Sequence, residues 1–171
     1  MNDGPVAIVV PMRDFKDEEY NDLVDILMQN GIIHEVIASA SGECVGVNGL
    51  RLDAIYSFDQ ADTDRYSCMA MIGGPGTDAY IHNDSLHDLA RRFLEIDKIV
   101  AAICWAPAIL ANAGLLMKKN ATVWEGAKNE LLTHGANYTG EAVTVDGNIL
   151  TADGPNSTIK FANTLVDMLT K

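Results

Sequence analysis

The 171-residue sequence predicts an α/β sandwich around a mostly parallel sheet. Three observations carry that expectation. Short apolar runs of strand character alternate along the chain with stretches of helical spacing. The first run, Val6 to Val10, is continuously apolar rather than alternating, as suits a strand covered on both faces. A composition 48% hydrophobic and 21% charged fits a single domain over residues 1–171 that buries a sizeable core, with no repeat or Pro/Ser-rich linker to divide it.

Each element follows in order. Residues 17 to 30 place Tyr20, Leu23, Val24, Leu27 and Met28 at helical spacing, with acidic residues in the first turn and Gly31 as a stop. His34 to Ala38 reads as the second strand. Two short runs around Asn48-Gly49 read as a hairpin. Met69 to Ile72 is a strand ending in Gly73-Gly74-Pro75-Gly76. Ser85 to Glu95 is a helix with Leu86, Leu89, Ala90 and Phe93 on one face. Ile99 to Ile103 is a strand that breaks at Cys104, before a helix from Pro107 to Ala113. Short strands near Val143 and Ile149 flank the turn Asp146-Gly147-Asn148. A closing helix runs from Ser157 to Leu169, with Ile159, Ala162, Val166 and Leu169 on one side. Ligands of such sheets sit beyond the carboxyl ends of the strands, the edge that Cys104 and the Gly73-Gly74 loop are expected to share.

The net charge of −12, with no run of Lys or Arg, argues against nucleic acid or an anionic membrane as a partner. No apolar stretch reaches the length of a membrane-spanning helix, and the first residues read as a strand rather than a signal, so a cytoplasmic setting is expected. The three cysteines, Cys44, Cys68 and Cys104, are widely spaced and form no C-x-x-C, so neither a disulfide framework nor a zinc site is indicated. The glycine loop matches no nucleotide fingerprint, and no cofactor is expected.

Cys104 carries the chemistry. A residue on a tight strand-to-helix turn has its side chain lifted clear of the sheet, and neighbouring N–H groups are free. A helix N-terminus there is expected to favour the thiolate and lower its pKa. The N–H groups of Trp105 and of the glycine loop are placed to hold an oxyanion, and glycine lets that loop approach closely. The competing reading is a buried apolar filler. Cys68, inside an apolar strand, reads as core; Cys44, beside a hairpin, as an incidental surface or edge thiol.

Taken together, the first strand, the acidic helix start, GGPG, AAICWAPAILANAGLL and VDGNILTADGPNSTIKFANTLVDML resemble the ThiJ/PfpI superfamily over essentially the whole chain. That group includes intracellular-protease-like proteins and the Parkinson-disease-associated deglycase-type protein. The resemblance implies a flavodoxin-like three-layer sandwich, a homodimer, and a reactive cysteine at the elbow. It matches Cys104 to the nucleophile and Glu19 to the acidic partner twelve residues before Gly31. Gly73 and Gly74, with the N–H of Trp105, match the oxyanion-binding loop, and Asp153-Gly154-Pro155 matches a loop bordering the pocket. Glu19 also lies at the edge of the helical apolar stripe, whereas Glu18 points away.

Two departures narrow the chemistry. Relatives of the protease-like branch carry histidine directly after the cysteine, where this chain has Trp105. Deglycase-like relatives carry one about twenty residues on, where this chain has Trp124. Amide cleavage needs a general acid for the leaving amine, so proteolysis is undercut, and two indoles are expected to line the pocket. His34, His82, His87 and His134 are expected in solvated or structural roles, with His82 and His134 still open as pocket residues. The leading expectation is a cysteine-dependent enzyme for small reactive carbonyls, of glyoxalase or deglycase type, using Cys104 and Glu19. The alternatives are a redox-responsive or chaperone-like stress protein without turnover, and a cysteine hydrolase with an unusual acid such as Asp153.

Overall fold

A computed structural model describes residues 4–171. The chain runs β1 (Val6–Val9), β2 (Arg13–Phe15), α1 (Asp17–Gln29), β3 (His34–Ala38), β4 (Gly42–Gly46), β5 (Arg51–Ala54), β6 (Tyr56–Ser57), β7 (Cys68–Met71), α2 (Asp84–Glu95), β8 (Ile99–Ile103), α3 (Pro107–Asn112), β9 (Asn120–Ala121), α4 (Lys128–Thr133), β10 (Asn137–Tyr138), β11 (Val143–Asp146), β12 (Ile149–Ala152) and α5 (Thr158–Leu169). Seven strands form one sheet in the order β11-β12-β8-β7-β1-β3-β6. Every neighbouring pair is parallel except β11 with β12. The central order β3-β1-β7-β8-β12 is the flavodoxin arrangement, and its chain direction switches between β1 and β7, where such sheets open a crevice.

Strand periodicity sorts the core into two layers. Val6, Ile8 and Val10 face α1 and α5, together with Leu23, Leu27, Phe161 and Leu165. Ala7, Val9, Met69 and Met71 face the other way, onto Leu86, Leu89 and Phe93 of α2 and Ile109 of α3. Parallel strands covered on both faces need apolar side chains at every position, which is why β1, β7 and β8 read as unbroken apolar runs. The closing helix buries Ala162 and Val166 as expected, but not Ile159. Phe161 and Leu165 are buried while Ile159 is 52% exposed, because the larger Phe161 defines the stripe with Leu165 four residues on.

A second, three-stranded sheet, β2-β4-β5, lies over the start of α1. The expected hairpin is its β4–β5 pair. Cys44 is not an edge thiol: it is fully buried on the inward side of β4, with its Sγ beside the Met12 thioether. The inward face of this small sheet packs on the core rather than on solvent, and a small polarisable residue fills it. Cys68 is core, as expected, and burial pushes its thiol up to about 12.

The small sheet is locked to α1 by Asp17, whose buried carboxylate accepts the amide protons of Asn48 (3.0 Å) and Leu50 (2.9 Å). Gly46 is required beneath it, since a Cβ there would lie 2.5 Å from the Asp17 carboxyl carbon. Truncation to alanine strands two amide donors. Asp17→Ala is expected to lower stability by about 1–3 kcal/mol, read by urea denaturation.

Candidate active site

Strand β8 ends at Ile103 and α3 begins at Pro107, so three residues turn the chain. Cys104 sits in the left-handed region with φ +64°, a conformation that costs a residue with a Cβ about 1–2 kcal/mol. The turn is held from both sides: the Cys104 N–H donates to Ala152 O (3.0 Å), and the Trp124 N–H donates to Cys104 O (2.8 Å). That is the elbow expected from the sequence.

The glycine loop after β7 fits against it. A Cβ on Gly73 would come 2.6 Å from the Cys104 Cβ and 2.9 Å from Ile103 O. Gly74 has φ +121°, and a Cβ there would meet Asp14 O at 2.4 Å. The two glycines divide the work. The N–H of Gly73 donates to Glu19 Oε2 at 2.9 Å and is therefore committed to the acid rather than to an oxyanion. The N–H groups of Gly74 and Trp105 instead face the Cys104 sulfur.

Glu19, on the first turn of α1, is fully buried. Its Oε1 makes no hydrogen bond, and the neighbouring ionisable group is the Cys104 thiol. Burial is the main cause that raises the Glu19 carboxyl from 4.5 to about 7, against the lowering effect of the Gly73 amide and the thiol. Cys104 is pushed up to about 12, first by burial and then by the Glu19 charge, while the Trp105 and Gly74 amides pull it down. The lowered thiol pKa expected from a helix N-terminus is thus reversed. Helix α3 spans only six residues, too short for its dipole to offset desolvation and a carboxylate neighbour. Burial and the facing carboxyl thus disfavour the thiolate, while burial holds the Glu19 carboxyl near its titration point at neutral pH.

Cys104 borders a cleft of about 420 Å³, with Glu19 buried behind it. Cys104 and Gly74 lie on its lining with Trp105 and Trp124, and Pro75, Pro155 and Lys16 complete it. The two indoles meet edge-to-face, with centroids 6.2 Å apart. Trp124 packs its ring on Gly126, where a Cβ would come within 2.2 Å of it.

Lys16 went unseen in the sequence, because a lone lysine before an acidic helix start reads as a solvated end. Asp153 is not on the lining; it accepts the Ser157 hydroxyl at 2.5 Å at the entry to α5, which turns it from the pocket. None of the four histidines reaches the cleft. His34 contacts the Tyr20 hydroxyl, His87 contacts Ile81 O, His134 contacts Glu130 O, and His82 is exposed. Among the described residues no cluster of His, Cys, Asp and Glu is placed to hold a metal, and no helix is long and apolar enough to cross a membrane.

Fold and corner together define an α/β sandwich of flavodoxin topology with a cysteine elbow opposed by a buried carboxylate. Residues 5–168 match the model of the DJ-1/PfpI family, and the chain belongs to that family. An uncharacterized protein of Methanocaldococcus jannaschii is 35% identical over 159 residues, covering 91% of this chain and 78% of that protein. The deglycase PfpI of Pyrococcus furiosus is 26% identical over 159 residues, covering 92% and 95%. The crystal structure of a ThiJ/PfpI domain protein from Brachyspira murdochii superposes with a TM-score of 0.95 at 31% identity, covering 97% of this chain and 96% of that one.

Proposed function

We propose that this protein is a cysteine-dependent enzyme acting on small reactive carbonyls, of glyoxalase or deglycase type. One observation carries the reading most: a buried carboxylate that ionises near neutrality, with one oxygen unpartnered, beside a thiol at the floor of a cleft. A carboxylate tuned near 7 is matched to general-base work at neutral pH. The name of the Pyrococcus furiosus relative supports the same class.

In this reading Cys104 Sγ attacks the aldehyde carbon of methylglyoxal as the S–H proton passes to Glu19. The developing alkoxide is held by the N–H groups of Gly74 and Trp105, then takes that proton to give a hemithioacetal. Glu19 next removes the proton from the former aldehyde carbon, the hydroxyl proton on the first oxygen passes to the former ketone oxygen through the enediol, and Glu19 returns its proton to the neighbouring carbon. The first carbon rises to the thioester level as the ketone carbon is reduced to a carbinol. Water cleaves the thioester, releasing lactate and restoring the thiol. No amine is expelled at any step, so the missing histidine is no obstacle.

Purified protein is expected to convert methylglyoxal to lactate, and Cys104→Ala to fall at least about 1,000-fold to background. Equal rates in the two proteins would end the proposal. The reading includes a homodimer in the cytoplasm; gel filtration with light scattering checks the assembly.

A further inference from the structure

Resting on the carbonyl reading above, we propose that the preferred substrate is an aromatic α-oxoaldehyde, its ring seated against Trp105, Trp124 and Pro155 with the aldehyde carbon over Cys104. The lining is what argues for this. Two indoles and two prolines make most of the wall, and a cleft of about 420 Å³ is far larger than a three-carbon substrate fills. Trp124 is 47% exposed, an amount of apolar surface that a flat ligand would cover. Its ring is backed by Gly126, so the indole is braced on one side. The edge-to-face pairing with Trp105 sets the second plane of a corner suited to a flat ring. Lys16 is the one charged side chain on that lining, so a cationic ring substituent is disfavoured.

Trp105 and Trp124 are the chain's only two tryptophans, so intrinsic indole fluorescence reports on this cleft alone. Two measurements on the wild-type protein test the proposal. The first is titration with acetophenone, an unreactive aryl ketone, against acetone. Saturable quenching by acetophenone at concentrations at least about tenfold below any effect of acetone is expected, the gain of a ring over a methyl in an apolar pocket. The second compares kcat/KM for phenylglyoxal and methylglyoxal. Phenylglyoxal is expected to be favoured at least tenfold, mainly through KM. Trp124→Ala is expected to reduce phenylglyoxal turnover about tenfold more than methylglyoxal turnover, and Trp124→Phe to restore most of the difference. Equal quenching by the two ketones, or equal kcat/KM for the two aldehydes, overturns the proposal. Selective quenching without turnover of either aldehyde sinks the carbonyl chemistry of the previous section and leaves the aromatic pocket standing.

Discussion

Glu19→Gln is expected to abolish most of the activity while making the protein more stable, and the two effects share one cause. The carboxyl is fully buried and ionises near 7 instead of 4.5, so the folded protein holds this proton more tightly than the unfolded chain. Stability is therefore greatest below pH 4.5 as far as this group is concerned and is lost as pH rises towards 7. At ~1.4 kcal/mol per pH unit, the interval from 4.5 to about 7 amounts to about 3 kcal/mol above neutrality. Glutamine keeps an oxygen for the Gly73 N–H and cannot ionise. Denaturation at pH 8 should show the variant more stable by about this amount, with the gap closing at pH 4.

Activity moves the other way. The wild-type kcat/KM should rise with pH through about 7, as the acid–thiol pair loses its first proton. That apparent value belongs to the pair, since a thiol beside a carboxylate and a thiolate beside a carboxylic acid carry the same total charge. Glu19→Gln should lose the inflection and fall about 100- to 10,000-fold, the usual share of a general base. A variant with an unchanged pH profile would remove Glu19 from the chemistry.

Gly73→Ala is expected to be nearly as damaging, through packing alone. Its Cβ would lie 2.6 Å from the Cys104 Cβ, 2.9 Å from Ile103 O and 3.1 Å from Trp105 N, all parts of the elbow. Backbone on two sides leaves no flexible side chain to yield. A loss of about 3 kcal/mol follows, which lowers Tm by roughly 10 °C in a protein of this size. Displacing sulfur and the donor to Glu19 together should lower kcat by at least about 100-fold. Gly31→Ala is the control. Gly31 has φ +69° and nothing within 4 Å of its Cβ position, so only the backbone conformation is penalised, by about 1 kcal/mol, and activity should hold.

The parts of this site that were legible in the sequence are those with a period or a break. The α1 stripe of Tyr20, Leu23 and Leu27 repeats at helical spacing and is buried accordingly. Cys104 stood out because strand character stops at Ile103 and proline follows at 107, and the structure places an elbow there. Strand β2 was not legible: it spans three residues, and Asp14 within it has φ +60°, which no propensity scale associates with a strand. Cys44 was misplaced because the small sheet that buries it is assembled from β2 and a hairpin far apart in sequence. The direction of the thiol shift was also out of reach. Helix position argues for a lowered value, and only the depth of burial and the facing carboxylate, both products of tertiary packing, reverse it.

The conformation of Cys104 sets stability against chemistry at a single position. At φ +64°, glycine would sit at position 104 without strain, and it would remove a buried thiol whose ionisation the fold resists. Cys104→Gly is therefore expected to relieve the backbone at this corner while removing the thiol that the proposed chemistry requires, so that a gain in stability and a loss of activity would come from one change.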